Sequence, residues 1–198
     1  MTMTSKRQTA AELLAQLQAD PAFQARQQER DRKHEETERA LRQAEAPLVQ
    51  ALSKVGVQVE SVWDLANTKV SYPQAAPVLL DHIERAYPDA VRAGIARALA
   101  VSGSRAEWGV LTGLYRKERG RRTKEGLAVA IASNATDDVI GDVIAFARDR
   151  THGTSRVLLL EALERSADPR SLSALKEMGN DLELQKEIKT ILGRKKRR

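Results

Sequence analysis

The sequence contains no cysteine among its 198 residues, which excludes a disulfide framework and a thiolate zinc site. It has no run of about 18 apolar residues, so it predicts no membrane-spanning helix. The first residues also lack the uninterrupted apolar stretch of a signal peptide. Together these absences predict a cytoplasmic protein with no membrane partner.

Catalytic and cofactor-binding patterns are also missing. The three histidines, His34, His82 and His152, are far apart in the chain and share no metal-ligand spacing. The lone Gly120 among arginines does not make a glycine-rich phosphate loop. We therefore predict no catalytic residue, no metal and no cofactor, and interpret His82 as a structural histidine of the core.

Aromatic residues make up only 4% of the chain, whereas alanine, leucine, arginine and glutamate are abundant. This mixture favours helix over strand and predicts an all-α protein. A shift of 32 residues then aligns the chain with itself from Tyr72 onward. The shift brings apolar residues into register at helical spacing, which predicts two helices per repeat, named here A and B.

The aligned positions form two buried stripes. The stripe of helix B is predicted at Ala76, Trp108, Ile140 and Leu172, at Leu79, Leu111, Val143 and Leu175, and at His82, Leu114, Phe146 and Met178. The stripe of helix A is predicted at Ile95, Leu127, Leu159 and Ile191, at Ala98, Ala130 and Ala162, and at Leu99, Ile131 and Leu163.

Small residues and turn signals complete the pattern. Pro77, Gly109, Gly141 and Ser173 align within helix B, which predicts close approach of a neighbouring helix there. Ser102-Gly103 predicts a turn between helices A and B. Asp168 and Pro169 predict a helix that begins with an N-cap and a proline at its first position.

Two stretches, 87–101 and 155–175, resemble the short HEAT-like repeat family. Its pattern is an arginine that opens helix A, Ala-Leu near its end and Asp-Pro before helix B; residues 155–175 carry all of it, with Arg156, Ala162-Leu163 and Asp168-Pro169. The middle repeat departs from it, with Lys124 and Ile131. The resemblance covers about residues 57–193 and implies a right-handed α-solenoid of HEAT-like helical pairs.

Composition, charge and the resemblance together predict three segments. We predict an N-terminal, partly solvated helical arm over residues 1–46, the HEAT-like α-solenoid over 47–193 and a basic tail over 194–198. From Gln24 to Ala46 charges of both signs alternate around a single large apolar residue, Leu41, so that segment is a solvated helix or a partly disordered arm. The leucines ahead of it, Leu13, Leu14 and Leu17, could dock on this chain, on a second copy or on a partner.

Positive charge is concentrated in two places. Residues 116–124, RKERGRRTK, carry six basic side chains and one acidic, and residues 194–198 carry five basic side chains. Since the whole chain has a net charge of +6, these two stretches supply +10 and the rest is net −4. The candidate binding residues are those of the first stretch, namely Arg116, Lys117, Arg119, Arg121, Arg122 and Lys124.

These features predict a non-enzymatic HEAT-like scaffold that binds a protein with an acidic surface through the stretch 116–124. The alternative is a nucleic-acid-binding protein of the DNA-alkylation glycosylase type, which needs a basic stripe on one face. The stretch could also be a solvated bend between two helices. A second basic column, Arg92, Lys124 and Arg156, is interpreted as a ladder of structural hydrogen bonds rather than a row of phosphate contacts.

Overall fold

The structure is a computed structural model that describes residues 9–68, 70–101 and 108–197. Regular structure in these residues is entirely helical, without a β-strand, which confirms the prediction of an all-α protein. The chain divides into two compact units, Met1–Gln43 and Ala44–Arg198. The arm, solenoid and tail boundaries given above stay predictions.

The first unit contains helix α1 (Ala10–Ala19) and most of helix α2 (Pro21–Lys54). Asp20 accepts a hydrogen bond from the backbone of Ala22 at 2.9 Å and so caps the start of α2. From Gln24 to Gln43 most side chains of α2 are exposed, as the alternating charges require. Leu14 is exposed in α1, and the side chains of Leu13 and Leu17 lie outside the described residues.

The second unit begins with the last turns of α2. Leu48 and Leu52 are fully buried there. The buried carboxylate of Glu45 accepts hydrogen bonds from the Ser61 hydroxyl at 3.1 Å and the Val62 backbone at 3.2 Å. Glu45 thereby fixes the first turn of the next helix, which the Ser61 side chain also caps.

Helices of two alternating kinds make up the rest of this unit. In chain order they are α3 (Val62–Asn67), α4 (Ala76–Ile83), α5 (Asp89–Leu99), α6 (Trp108–Lys117), α7 (Arg121–Asn134), α8 (Ile140–Arg148), α9 (Arg156–Arg165), α10 (Pro169–Glu177) and α11 (Gln185–Lys195). The odd-numbered helices form one series in which α3, α5, α7, α9 and α11 each pack against the next. The even-numbered helices α4, α6 and α8 each pack on the odd-numbered helix that follows them, and α10 packs on both α9 and α11.

The predicted stripe of helix A is buried at every position. Ile95, Leu127, Leu159 and the aligned alanines have at most 2% of their surface exposed. The stripe of helix B is buried at Leu79, Leu111, Val143 and Leu175 and is looser at its edge, where Leu172 is 37% exposed. The series of odd-numbered helices therefore forms the centre of the core.

The prediction that small residues in helix B allow close packing is wrong. Gly109 is exposed, and a Cβ there would meet no atom within 4 Å. Close approach occurs in the other series, where a Cβ on Gly126 would lie 2.8 Å from Ala96 Cβ and one on Gly94 would lie 2.6 Å from Val62 Cγ1. The glycines that matter for packing are therefore those of α5 and α7.

The helix ends follow ordinary capping chemistry. Asp168 accepts a hydrogen bond from the Arg170 backbone at 2.8 Å, and Pro169 occupies the first position of α10, which confirms the predicted start. The predicted turn at Ser102-Gly103 lies outside the described residues. Within the part of the chain that is described, none of the helices has both the length and the apolar character required to span a membrane.

Candidate interaction surface around residues 116–124

Residues 116–124, called the basic segment from here on, run from the end of α6 through a short turn into α7. Its single acid, Glu118, is buried. The Glu118 carboxylate accepts hydrogen bonds from the backbones of Arg119 at 2.8 Å and Gly120 at 2.6 Å and pairs with Arg92 at 2.5 Å. The Glu118 carboxylate thus stabilises the turn and does not pair with the exposed cations of the basic segment.

Asp89, the first residue of α5, caps the start of α7. Its carboxylate accepts hydrogen bonds from the backbones of Arg122 and Thr123, both at 3.1 Å, and from the Thr123 hydroxyl at 2.6 Å. Burial favours a higher pKa for Asp89, but the hydrogen bonds from Thr123 and Arg122 outweigh it and lower the pKa. This carboxylate offsets the dipole of α7, which otherwise disfavours cations in its first turn.

The glycine at the centre of the basic segment has a packing reason. A Cβ on Gly120 would collide with the Asp89 carboxylate and would lie 3.1 Å from Glu118 Oε1. A side chain at residue 120 would therefore displace both acids that order the turn. Gly120 serves the local structure and leaves the arginines beside it on the surface.

Five of the six candidate residues are exposed: Arg116, Lys117, Arg119, Arg121 and Arg122. Arg121 pairs with Glu125 at 3.1 Å, but its side chain is 83% exposed, so this pair contributes little to stability. Among the described residues no carboxylate lies within ion-pair distance of the other four. The basic segment therefore presents a group of cations available to an anionic partner.

Lys124, the sixth candidate, turns inward. Its Nζ lies 5.1 Å from the Tyr115 ring centroid and donates a long hydrogen bond of 3.4 Å to the Glu118 carbonyl. Burial lowers the pKa of Lys124, and the neighbouring Arg119 lowers it further. Arg116 rests on a second ring, with its Cζ 4.8 Å from the Phe146 centroid.

The column of Arg92, Lys124 and Arg156 is structural at both arginines, which confirms that interpretation. Arg92 Nε donates to the Ile83 carbonyl at 3.0 Å, and Arg156 Nη1 donates to the Ala147 carbonyl at 3.1 Å. Both carbonyls lie at the C-terminal end of an even-numbered helix, where such donors are otherwise missing. These arginines join consecutive helical pairs and cannot serve as a row of phosphate contacts.

Three arginines near the basic segment or in later turns are paired with acids. Arg148 pairs with Glu177, Arg150 with Asp181 at 3.3 Å and Arg170 with Asp168 at 2.6 Å. The surface around these arginines therefore carries both signs of charge. Unlike these three arginines, Arg116, Lys117, Arg119 and Arg122 have no carboxylate partner among the described residues.

A cluster of aromatic rings lies beneath the basic segment and was not predicted from the sequence. Tyr115 is fully buried, and its ring lies 5.4 Å from Phe146 and 4.5 Å from His152. Its hydroxyl is 2.8 Å from Ser155 Oγ, and burial raises the pKa of Tyr115 to about 12. His152 lies in a turn of the sequence, so no helical periodicity marked it as buried.

Other candidate residues have structural roles. His82 is buried, and its Nδ1 is 2.7 Å from the Tyr87 hydroxyl, as predicted for a structural histidine. Trp108 is half-buried and donates from Nε1 to Asp142 at 2.8 Å. No group of histidine and carboxylate side chains suited to a metal ion occurs in the described ranges.

Comparison with protein-family models, with curated proteins and with solved structures found no match for this chain.

Proposed function

We propose that this chain is a non-enzymatic HEAT-like scaffold that binds a protein partner through the basic segment, with an acidic patch of the partner facing it. The observation that carries the proposal is the contrast in charge pairing. Arg116, Lys117, Arg119 and Arg122 have no carboxylate partner among the described residues, whereas the cations of the neighbouring turns do. An acidic surface would complete this local charge pattern.

The arrangement of the helices supports the HEAT-like part of the proposal. Five odd-numbered helices pack in series, and buried residues 32 positions apart line their contacts. Arg92 and Arg156 link consecutive pairs at one end of the helices, and Asn134 and Arg165 do so at the other end. Such contacts between nearest neighbours support the proposed α-solenoid, whose exposed turns would suit partner binding.

A protein partner fits the charge distribution better than a nucleic acid. A nucleic-acid surface requires a basic stripe that follows the phosphate backbone. Here Arg116, Lys117, Arg119 and Arg122, which have no carboxylate partner among the described residues, lie around one turn. Arg148 and Arg150 on the adjacent turn are held by Glu177 and Asp181. The footprint is therefore short and flanked by both signs of charge, as at the polar rim of a protein interface.

The test replaces Arg119, Arg121 and Arg122 together with glutamine and uses the variant as bait in affinity purification from the native host. A matched control replaces Lys186, Lys189 and Lys196 with glutamine as well. These three lysines are exposed cations in or just after α11, so the net charge changes equally. We expect the wild type and the control to retain the partner after nuclease treatment and the basic-segment variant to lose it. Affinities are then measured with the isolated partner.

Equal affinity of the basic-segment variant and the wild type for that partner would contradict the proposal. A partner that disappears on nuclease treatment would instead indicate a nucleic acid. In that case the slope of affinity against salt should become shallower in the basic-segment variant, because fewer counterions are released.

A further inference from the structure

The ring of His152 lies directly beneath the basic segment. Only 8% of this residue is exposed, and its ring centroid is 4.5 Å from that of Tyr115 and 5.7 Å from that of Phe146. These two rings are the ones on which Lys124 and Arg116 rest. His152 therefore supports the aromatic pair that holds two cations of the candidate surface.

The two ring nitrogens of His152 have different surroundings. Nε2 lies 3.6 Å from the Asp149 carboxylate, whereas Nδ1 is buried and has no hydrogen-bond partner in the described part of the chain. A neutral imidazole needs one N–H, which Nε2 can direct toward Asp149. A second proton must go to Nδ1, where the new N–H would be buried without an acceptor, at a considerable cost in free energy.

Most of the charges that face His152 also oppose its protonation. They are Arg116 of α6, Lys124 of α7, Asp149 at the end of α8 and Arg156 of α9. Burial and then Lys124 lower the pKa of His152, while Asp149 acts in the opposite direction. Three cations and one acid surround the buried ring, and together with burial they favour its neutral form.

His82 provides a comparison within the same chain. It is also buried, but its Nδ1 is 2.7 Å from the Tyr87 hydroxyl and its Nε2 is 3.9 Å from the Asp81 carboxylate. Both nitrogens therefore have a neighbour that can accept a proton or a hydrogen bond after small movements. The orphaned nitrogen is specific to His152.

From this geometry we infer that His152 is a pH-sensitive support of the basic segment. Its protonation weakens the packing of Arg116 and Lys124 against the aromatic rings and thereby releases the acidic partner. The inference rests on the proposed function for the identity of the ligand. The direction of the expected change in affinity separates this inference from a simple charge effect. An added positive charge alone would strengthen the binding of an anion, whereas loss of the support weakens it.

The first test needs no ligand. Hydrogen exchange of the wild type is measured at about pH 7.5 and about pH 5.5, after correction for intrinsic exchange rates, and the His152 ring is titrated by NMR over the same range. We expect protection of residues 113–124 and 149–156 to fall at least several-fold as the ring titrates. Unchanged protection through the titration of His152 would overturn the inference.

The second test uses a hexa-aspartate peptide labelled with a pH-insensitive rhodamine dye, and the peptide carboxylates stay ionised throughout this range. We expect wild-type affinity to fall several-fold from about pH 7.5 to about pH 5.5, and the dependence to vanish in His152→Gln but persist in His82→Gln. Persistence in a folded His152→Gln protein would refute the pH-sensitive support. If the peptide instead binds the wild type and the triple glutamine variant equally at about pH 7.5, the proposed function fails, while the exchange experiment still decides the role of His152.

Discussion

The basic segment has an equivalent 32 residues later, residues 148–156, which also lies between helical pairs. The two segments differ in how their positive charges are paired. Arg156 is 1% exposed and is held by Asp181 at 3.0 Å, by Glu183 and by a backbone carbonyl. Lys124, at the equivalent position, makes one long hydrogen bond to a carbonyl. The difference lies in the turn that each segment faces.

The segment 148–156 faces Glu177, Asp181 and Glu183, whose carboxylates take up its cations. The basic segment faces residues 148–156, where Asp149 is the acidic residue. The cations of one inter-helix segment are therefore paired when the next turn supplies acids, and they lack carboxylate partners when it does not. The charge of a turn is informative only together with the charge of its neighbour.

The largest expected effect on stability comes from removing a paired arginine of the segment 148–156. Arg156→Met should lower the free energy of unfolding by about 3–5 kcal/mol, because it leaves Asp181 without its main partner and a buried carbonyl without a donor. Lys124→Met should change it by less than about 1 kcal/mol, since one long hydrogen bond is lost. Urea denaturation measures both values, and similar losses for the two variants would refute the distinction between the two positions.

An intermediate effect is expected at Asp89, which orders the basic segment from the preceding pair. Asp89→Ala should cost about 0.5–2 kcal/mol at neutral pH, as for the loss of a helix cap. Because the pKa of Asp89 is lowered in the folded state, its contribution is present above the unfolded-state pKa and disappears as the pH falls through the folded-state pKa.

Unfolding of Asp89→Ala and the wild type at about pH 7 and about pH 2 should therefore show a difference at the higher pH that shrinks at the lower one. Glu84→Ala, which removes an exposed carboxylate just after α4, is the control and should change little at either pH. A constant difference between Asp89→Ala and the wild type over this range would mean that the carboxylate charge is not what stabilises the turn.

The smallest effect on stability is expected from the exposed cations themselves. The triple glutamine variant of Arg119, Arg121 and Arg122 should melt within a few degrees of the wild type, because exposed charges contribute little to stability. The control variant at Lys186, Lys189 and Lys196 should behave in the same way. Calorimetry checks both, and a large loss in the basic-segment variant alone would show that these arginines hold the turn together rather than bind a partner.

Periodicity in the sequence was sufficient to predict the helices and most of their buried stripes. Spacings of three and four residues identify a helix face wherever the helix later packs, so Leu79, Leu127 and Leu159 were assigned to the core without knowledge of their neighbours. The structural roles of Arg92 and Arg156 were also expected, from the resemblance to HEAT-like repeats. These features depend on residues close in the chain or on the repeat itself.

Only the tertiary structure decided which glycines permit close packing and which charges are neutralised. Gly126 and Gly109 are both glycines inside helices, and the contact that one of them makes with α5 is a property of the packing, not of the helix that contains it. Glu118 and Asp89 likewise became turn-forming acids through hydrogen bonds that span up to 34 residues. Burial of His152 with an orphaned nitrogen required the rings of α6 and α8 to meet, because a sequence records the order of residues but not the distances between side chains brought together by folding.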